Sequence, residues 1–436
     1  MTAPEVDYAF AERLGALYLP LIAALILALA RERSRRRFAA CLLGFLWTMP
    51  ALLLLQLLNL RMDWWSFPVV EAGIRGMPLE LYVGWIILWG ILPTLAFPHL
   101  RLAWVAALMA AFDLVAMPGC GAVVHLNKNW LFGEAAAVGI VLLPGLCLAR
   151  WTQQDTHLSL RATLQVATSG LLFLFLIPEI VFAFRPGYNW TPMFAMPAWQ
   201  RQFALLMLMV LALPGVSAVQ EFAQRGHGTP IPYDPPKRLV TSGIYRYLAN
   251  PMQLSCTLVM LLWPAILRNP WLLLAPVASV IYSAGIARWD ERQDLASLFG
   301  APWREYRSEV RDWLPRLTPY RHGAPARLYM ATTCTPCSQL QHWIERQSPR
   351  GMEIRSAESL QVPIERVTYD PNDGSPTVNG IRAVGRALEH LNLAWALAGT
   401  ALRMPGVWQL VQLLMDVSGF GPRQLPNANT CQTDVN

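Results

Sequence analysis

Arg31-Glu32-Arg33-Ser34-Arg35-Arg36-Arg37 separates two apolar stretches, residues 14–30 and 39–59, and the fold is read from this run. Each flank comes close to the roughly 20 apolar residues that a helix needs to cross a bilayer core. A stretch this basic cannot enter hydrocarbon, so it forms a short loop between two spans. Working outward, the same pattern returns at 80–97, 100–117, 132–149, 162–184, 199–219, 252–268 and 271–287. The composition agrees: 54% of the 436 residues are hydrophobic and only 14% charged, against about 25% charged in soluble domains. The formal charge of +7 lies largely in Arg residues beside the spans. It therefore reads as a set of topology determinants and not as a nucleic-acid surface.

The arginines also set the orientation. The Arg31–Arg37 loop is expected on the cytoplasmic side, and alternation puts His99-Leu100-Arg101, residues 150–161 and residues 220–250 there too. The opposite loops are aromatic and poor in cations, as in Met62-Asp63-Trp64-Trp65 and Tyr188-Asn189-Trp190. With about nine spans and an outside N-terminus, everything after about residue 288 is cytoplasmic. Asp7 and Glu12 precede the first apolar run without a basic leader, so no cleavable signal is expected. The chain thus reads as an all-α polytopic membrane protein of bacterial inner-membrane type, followed by a cytoplasmic α/β domain. Pro93, Pro144, Pro178 and Pro214 lie inside spans, which membrane helices tolerate when neighbours satisfy the freed carbonyls. Glu80, Asp113, Glu134 and Glu179 sit in or at the ends of spans, where acids suggest a proton path or a substrate contact, or else lie at the interface or bond a neighbouring helix.

Between the seventh and eighth spans lies His227-Gly228-Thr229-Pro230-Ile231-Pro232-Tyr233-Asp234-Pro235-Pro236, continuing through Gly243 and Tyr245 to Asn250-Pro251-Met252. Its prolines make it stiff and non-helical, and Gly228 and Gly243 permit close backbone approach. Such a loop suits a small polar cofactor held against the membrane face. Gly228-Thr229-Pro230-x-Pro232, Leu239-Val240-x-x-Gly243-x-Tyr245-Arg246 and Asn250-Pro251-Met252 resemble the isoprenylcysteine carboxyl methyltransferase and phospholipid methyltransferase superfamily. The likeness continues at Asp290-Glu291, Leu295, Phe299-Gly300, Trp303, Tyr306, Val310 and Leu314-Pro315-Arg316, so that it covers about 200–320. The resemblance implies a cytosolic pocket for S-adenosylmethionine and a lipophilic substrate that enters from the bilayer. It places Leu239, Val240, Gly243, Tyr245, Asn250, Pro251 and Glu291 around the cofactor, with Asn250 and Glu291 closest to the chemistry. Family members usually carry Arg-His-Pro-x-Tyr or Arg-Asn-Pro-x-Tyr; Ala249-Asn250-Pro251-Met252-Gln253 lacks both the Arg and the Tyr, which leaves the acceptor open.

A Pro-containing linker, 321–325, precedes a domain expected over 326–424, with a disordered tail over 425–436. Ala326–Met330 reads as a strand, Cys334-Thr335-Pro336-Cys337 follows it, and a helix runs over about 338–346. Residues 364–369 read as a strand, Asn372-Asp373-Gly374 as a turn and Thr377-Val378 as a return strand, with helices from about Ile381, Ala394 and Val407. The unit resembles the small thiol-disulfide oxidoreductases with an Asp-Cys-Cys signature, a thioredoxin-like family; Thr333 and Met330 replace its usual acidic positions. A helix N-terminus would favour the Cys334 thiolate, which suits Cys334 and Cys337 to a redox pair; an inert fold without redox activity is the alternative. The other cysteines, 41, 120, 147, 256 and 431, are scattered and give no disulfide framework. A zinc half-site is the rival reading, but no second ligand pair lies nearby in sequence, and no metal is expected.

The expected organisation is an unassigned region over 1–197, a methyltransferase-like region over 198–320 and the Cys-x-x-Cys domain. The expected function is methyl transfer from S-adenosylmethionine to a lipophilic carboxylate, lipid or thiol, with a thiol partner for the tail domain. Two alternatives stand beside it: a thiol-disulfide oxidoreductase on a non-catalytic anchor, and a transporter or assembly factor that uses the intramembrane acids.

Overall fold

The computed structural model describes residues 3–31, 34–68, 72–229, 236–321, 323–332, 335–360 and 364–422, and side chains there except at 3–9, 286–294 and 335. The expected tail over 425–436 lies outside the described residues. Contacts divide the chain into two units. The first comprises Met1–Ala204, His227–Pro236 and Val259–Ala278; the second comprises Leu205–Gly226, Lys237–Leu258 and Ser279–Asn436.

Seven helices among the described residues are long and apolar enough to cross a bilayer: Phe10–Ala30, Arg35–Met62, Leu79–Ala96, Leu102–Gly119, Trp130–Gln154, Leu158–Phe184 and Ala198–Gly226. The eighth and ninth expected spans fall on shorter apolar helices, Pro251–Ile266 and Pro270–Gly285. The first of these has 16 residues and rises about 24 Å, short of the roughly 30 Å hydrocarbon core. It ends early because Arg268 takes a left-handed φ of 49° and Asn269 accepts from the Trp271 amide at 3.1 Å, capping the next helix. Helical backbone then continues from Pro270 through Arg288–Glu309, with a break at Gly300.

In the first unit, small residues bring helices together. A Cβ on Gly44 would lie 2.1 Å from the Gly90 carbonyl oxygen, and one on Gly84 would lie 2.0 Å from that of Ala16. This is the small-residue contact that membrane helices use in place of hydrophobic driving force. The embedded prolines are handled locally. Wide π turns at Val138–Leu142 and Leu172–Leu176 precede Pro144 and Pro178, where a proline ring would otherwise strike the carbonyl four residues back. Trp47 Nε1 donates to the Ile140 and Val141 carbonyls at 3.2 and 3.1 Å. Trp263 Nε1 donates to Phe173 O at 3.1 Å. Two indoles thereby pair backbone oxygens at the π turns.

In the second unit, helix Ala198–Glu221 meets helix Pro251–Ile266 where Ser255 Oγ donates to Leu211 O; a Cβ on Gly215 would lie 2.9 Å from Ser255. Farther along the chain is a four-stranded sheet with the order Met352–Ser356, Ala326–Met330, Thr368–Asp370, Val378–Asn379. The first pair is parallel and the other two are antiparallel. Helix Thr335–Arg346 connects the parallel pair, and helices Ile381–Leu388, Leu393–Arg403 and Val407–Met415 follow the last strand. Leu328, Met330, Ile344, Tyr369, Ala383 and Ala387 form the buried core against the sheet. Strand Met352–Ser356 was not expected from the sequence, and the expected strand over 364–369 is shorter, at Thr368–Asp370.

Candidate functional site

The segment from Leu239 to Pro251 is irregular apart from one short 3-10 turn, Gly243–Arg246, and the chain from Tyr306 to Tyr320 holds it by its backbone. Tyr306 Oη donates to Tyr245 O at 2.8 Å. The Ala249 amide donates to Arg311 O at 3.0 Å, the Arg316 amide to Tyr247 O at 2.9 Å and the Tyr320 amide to Arg246 O at 2.9 Å. Burial raises the Tyr306 hydroxyl well above its ordinary pKa, so it stays a neutral donor. Four bonds to a stretch without regular secondary structure give it one fixed course.

Each residue expected to hold the cofactor has a distinct setting. Val240 and Tyr245 are buried with Ala218 and Ile244, and Phe222, Met252, Leu393 and Leu397 pack on them. Leu239 packs against Tyr306, Val310 and Tyr320. Pro251 is buried and opens helix Pro251–Ile266, where its missing N–H costs nothing. Asn250 Nδ2 donates to Asp312 Oδ1 at 3.1 Å, and Asp312 in turn pairs with Arg307. Gly243 has φ +61°, and a Cβ there would lie 2.6 Å from Glu221 Cγ. The close approach that glycine permits is thus made by a side chain of this protein. Glu291 lies in helix Arg288–Glu309 with its side chain outside the described residues, and Cys334, like Pro230, Pro232 and Pro235 of the loop, is also outside them.

Asp312, the partner of Asn250, lines an open cavity of about 560 Å³ with Trp303, Arg304, Arg307, Ser308, Val310 and Arg311. It falls within the 300–1,000 Å³ range typical of small-molecule sites. Its walls offer an aromatic ring, guanidinium groups and one carboxylate. Cys337, half-buried in helix Thr335–Arg346, lines a different cavity of about 170 Å³ with Leu340, Ile381, Val384, Met415 and Phe420.

Sequence reading missed the group beneath Gly243. Glu221, fully buried, accepts from Ser242 Oγ at 2.8 Å, Arg386 Nη1 at 2.6 Å and Arg403 Nη1 at 3.0 Å. Glu389, also buried, pairs with both arginines. Burial opposes the charge on Arg386, yet Glu221 and Glu389 more than offset it and raise its pKa. Tyr247 Oη donates to Glu389 O at 2.9 Å, tying the quartet to the 239–251 segment a second time. The available signal was an acid at the end of an apolar run, the rule that singled out the four intramembrane acids. Of those, Glu80 accepts from Arg13 at 2.7 Å. Glu179 accepts from Arg75 at 2.6 and 2.7 Å and from Trp190 Nε1 at 2.5 Å. Asp113 and Glu134 are both buried.

Residues 199–301 match the family model described as phospholipid methyltransferase. No curated protein and no solved structure matches the chain. The matched stretch contains Glu221, Gly243 and Asn250, and it reaches into the helix that carries Glu291.

Proposed function

We propose that this chain is an integral-membrane methyltransferase that uses S-adenosylmethionine and acts on a lipophilic carboxylate, lipid or thiol. The observation that carries this reading is the coincidence of two independent features. The family match covers 199–301, and within it the irregular segment 239–251, held by four bonds to its backbone, leads through Asn250 and Asp312 to the cavity beside Trp303. The residues there fit the cofactor's chemistry. Arg307 and Arg304 are suited to its carboxylate, Asp312 to its ammonium or ribose hydroxyls, and Trp303 to the sulfonium or the adenine ring.

When bound, the cofactor would supply an activated methyl group on a sulfonium, which leaves little acid-base work to the protein. The protein's part is positioning and exclusion of water. Asn250 is held by Asp312 and so is oriented before any ligand arrives. Val240 and Tyr245 keep the segment's inner face dry. Glu291 is the proposed acid near the acceptor. The side that carries the basic loops is proposed to be cytoplasmic, with the 239–251 segment and the chain after about residue 288 on it.

We assign Cys334 and Cys337 to a thioredoxin-like dithiol. The parallel-then-antiparallel strand order and the placement of Cys337 in the first turn of the helix after the first strand support this. The dithiol would reduce a disulfide partner by two electrons and become a disulfide itself, with a cytosolic dithiol restoring it. The oxidoreductase-only alternative predicts cysteine-dependent reduction without any cofactor binding. The transporter alternative loses support at Glu80 and Glu179, which are bonded to Arg13 and Arg75.

Transfer of a labelled methyl group from S-adenosylmethionine into a lipid extract tests the function. The wild type is expected to transfer label, and Glu291→Ala to lose it. A wild type that transfers none to lipids, carboxylates or lipophilic thiols would remove the proposal.

A further inference from the structure

Four helices of the second unit converge on a polar cavity that the methyltransferase reading does not use. Its volume is about 210 Å³, and its walls include Gln220, Gln224, Arg382, Arg386, Arg403 and Trp408. Arg382 and Arg386 are one turn apart on helix Ile381–Leu388 and share a face. Arg403 comes from the end of helix Leu393–Arg403.

The charges around this cavity do not balance. Glu221 and Glu389 pair with Arg386 and Arg403. Arg382 is left over; it lies over the Trp408 ring at 5.4 Å and has no ion pair among the described residues. Arg403 is only 4% exposed, and its Nε has no hydrogen-bond partner. A buried guanidinium N–H without an acceptor is costly, and so is an excess of positive charge in a partly desolvated pocket.

We propose that this cavity is a binding site for a phosphate-bearing ligand, with Arg382, Arg386 and Arg403 as its cationic walls. A phosphate group has three acceptor oxygens and suits the planar, forked guanidinium donors better than a halide does. Gln220 and Gln224 add amide groups to the lining. The volume, equivalent to about seven water molecules at about 30 Å³ each, admits a phosphate with part of its ester. An anion seated there competes with Glu221 for Arg386 and Arg403. The other oxygen of Glu221 holds Ser242, so occupancy would be felt at the 239–251 segment. The site itself does not depend on that segment binding S-adenosylmethionine.

Calorimetric titration of inorganic phosphate into the detergent-purified full chain, in chloride-free buffer, is the first arm of the test. The second is the thermal midpoint in phosphatidylcholine vesicles with and without phosphatidic acid. The expected result is saturable phosphate binding that Arg382→Gln weakens about tenfold or more and Arg382→Lys partly restores. Arg355→Gln, at an exposed Arg paired with Glu353, should leave binding unchanged. A midpoint raised only by phosphatidic acid, and only when Arg382 is present, would identify the phosphate as a lipid headgroup. Arg382 lies outside the ion quartet, so its variants should fold, which their midpoints verify. Absence of binding in both arms, or binding that is the same in Arg382→Gln, would overturn the proposal.

Discussion

The two units handle charge in opposite ways. In the first, two of the intramembrane acids each have one cationic partner: Glu80 has Arg13, and Glu179 has Arg75. These are local ties between helices or loops, and each can fail alone. In the second, Glu221, Arg386, Arg403 and Glu389 share partners, and Ser242 and Tyr247 attach the 239–251 segment to them. A shared network couples everything bonded to it. The difference suggests that the first unit uses charge to fix helix packing, while the second uses it to hold an irregular segment in one conformation.

The largest effect that would sharpen this contrast is expected from Glu221→Gln. It leaves two buried guanidinium groups with one carboxylate between them, and breaking a buried ion pair costs about 3–5 kcal/mol. Thermal unfolding in detergent should show most of that loss. Glu80→Gln, at a pair whose carboxylate is 27% exposed, should cost about 1–2 kcal/mol. Equal costs for the two variants would erase the distinction between pairs and network.

Gly243→Ala comes next. The left-handed φ of +61° alone costs an L-residue about 1–2 kcal/mol, and the new methyl group would also displace Glu221. Destabilisation of about 2–3 kcal/mol is expected, with loss of cofactor binding. A variant as stable as wild type would show that Glu221 gives way freely and that the network is not rigid.

The smallest effect is a pH dependence confined to the second unit. His390 is fully buried; desolvation first, then the positive charge of Arg246, hold its pKa well below the ordinary value. Its Nδ1 donates to Arg350 O at 2.9 Å, and its Nε2 accepts from Tyr369 Oη at 2.9 Å, which is the neutral ring. The unfolded chain takes up a proton near pH 6.5 while the folded one does not. Stability is therefore full above about pH 6.5 and falls as the pH drops below it. His390→Gln should flatten the slope of the thermal midpoint between about pH 6.5 and 5. An unchanged slope would assign that dependence to other groups.

How much of this was legible in sequence follows from the range of the physics involved. Bilayer crossing is a one-dimensional constraint, so the apolar runs around Arg31–Arg37 could be read directly, as could strand Ala326–Met330 and the helices near Ile381 and Val407. The shortness of Pro251–Ile266 could not, because composition runs on to Leu267 while Arg268 and Asn269 turn the backbone. Gly243 stood out as a glycine, but what it approaches did not. Glu221 lies 165 and 182 positions from its two arginines, and no local pattern connects them. The uneven charge around Arg382 is likewise a property of four helices meeting.

Equilibrium binding of S-adenosylmethionine to the detergent-purified chain tests the central claim most directly, with wild type, Asn250→Ala and Cys334→Ser compared side by side. The account predicts micromolar binding by wild type and Cys334→Ser, and loss in Asn250→Ala by about tenfold or more. Binding absent from wild type in every lipid composition, or unaffected in Asn250→Ala, would contradict it.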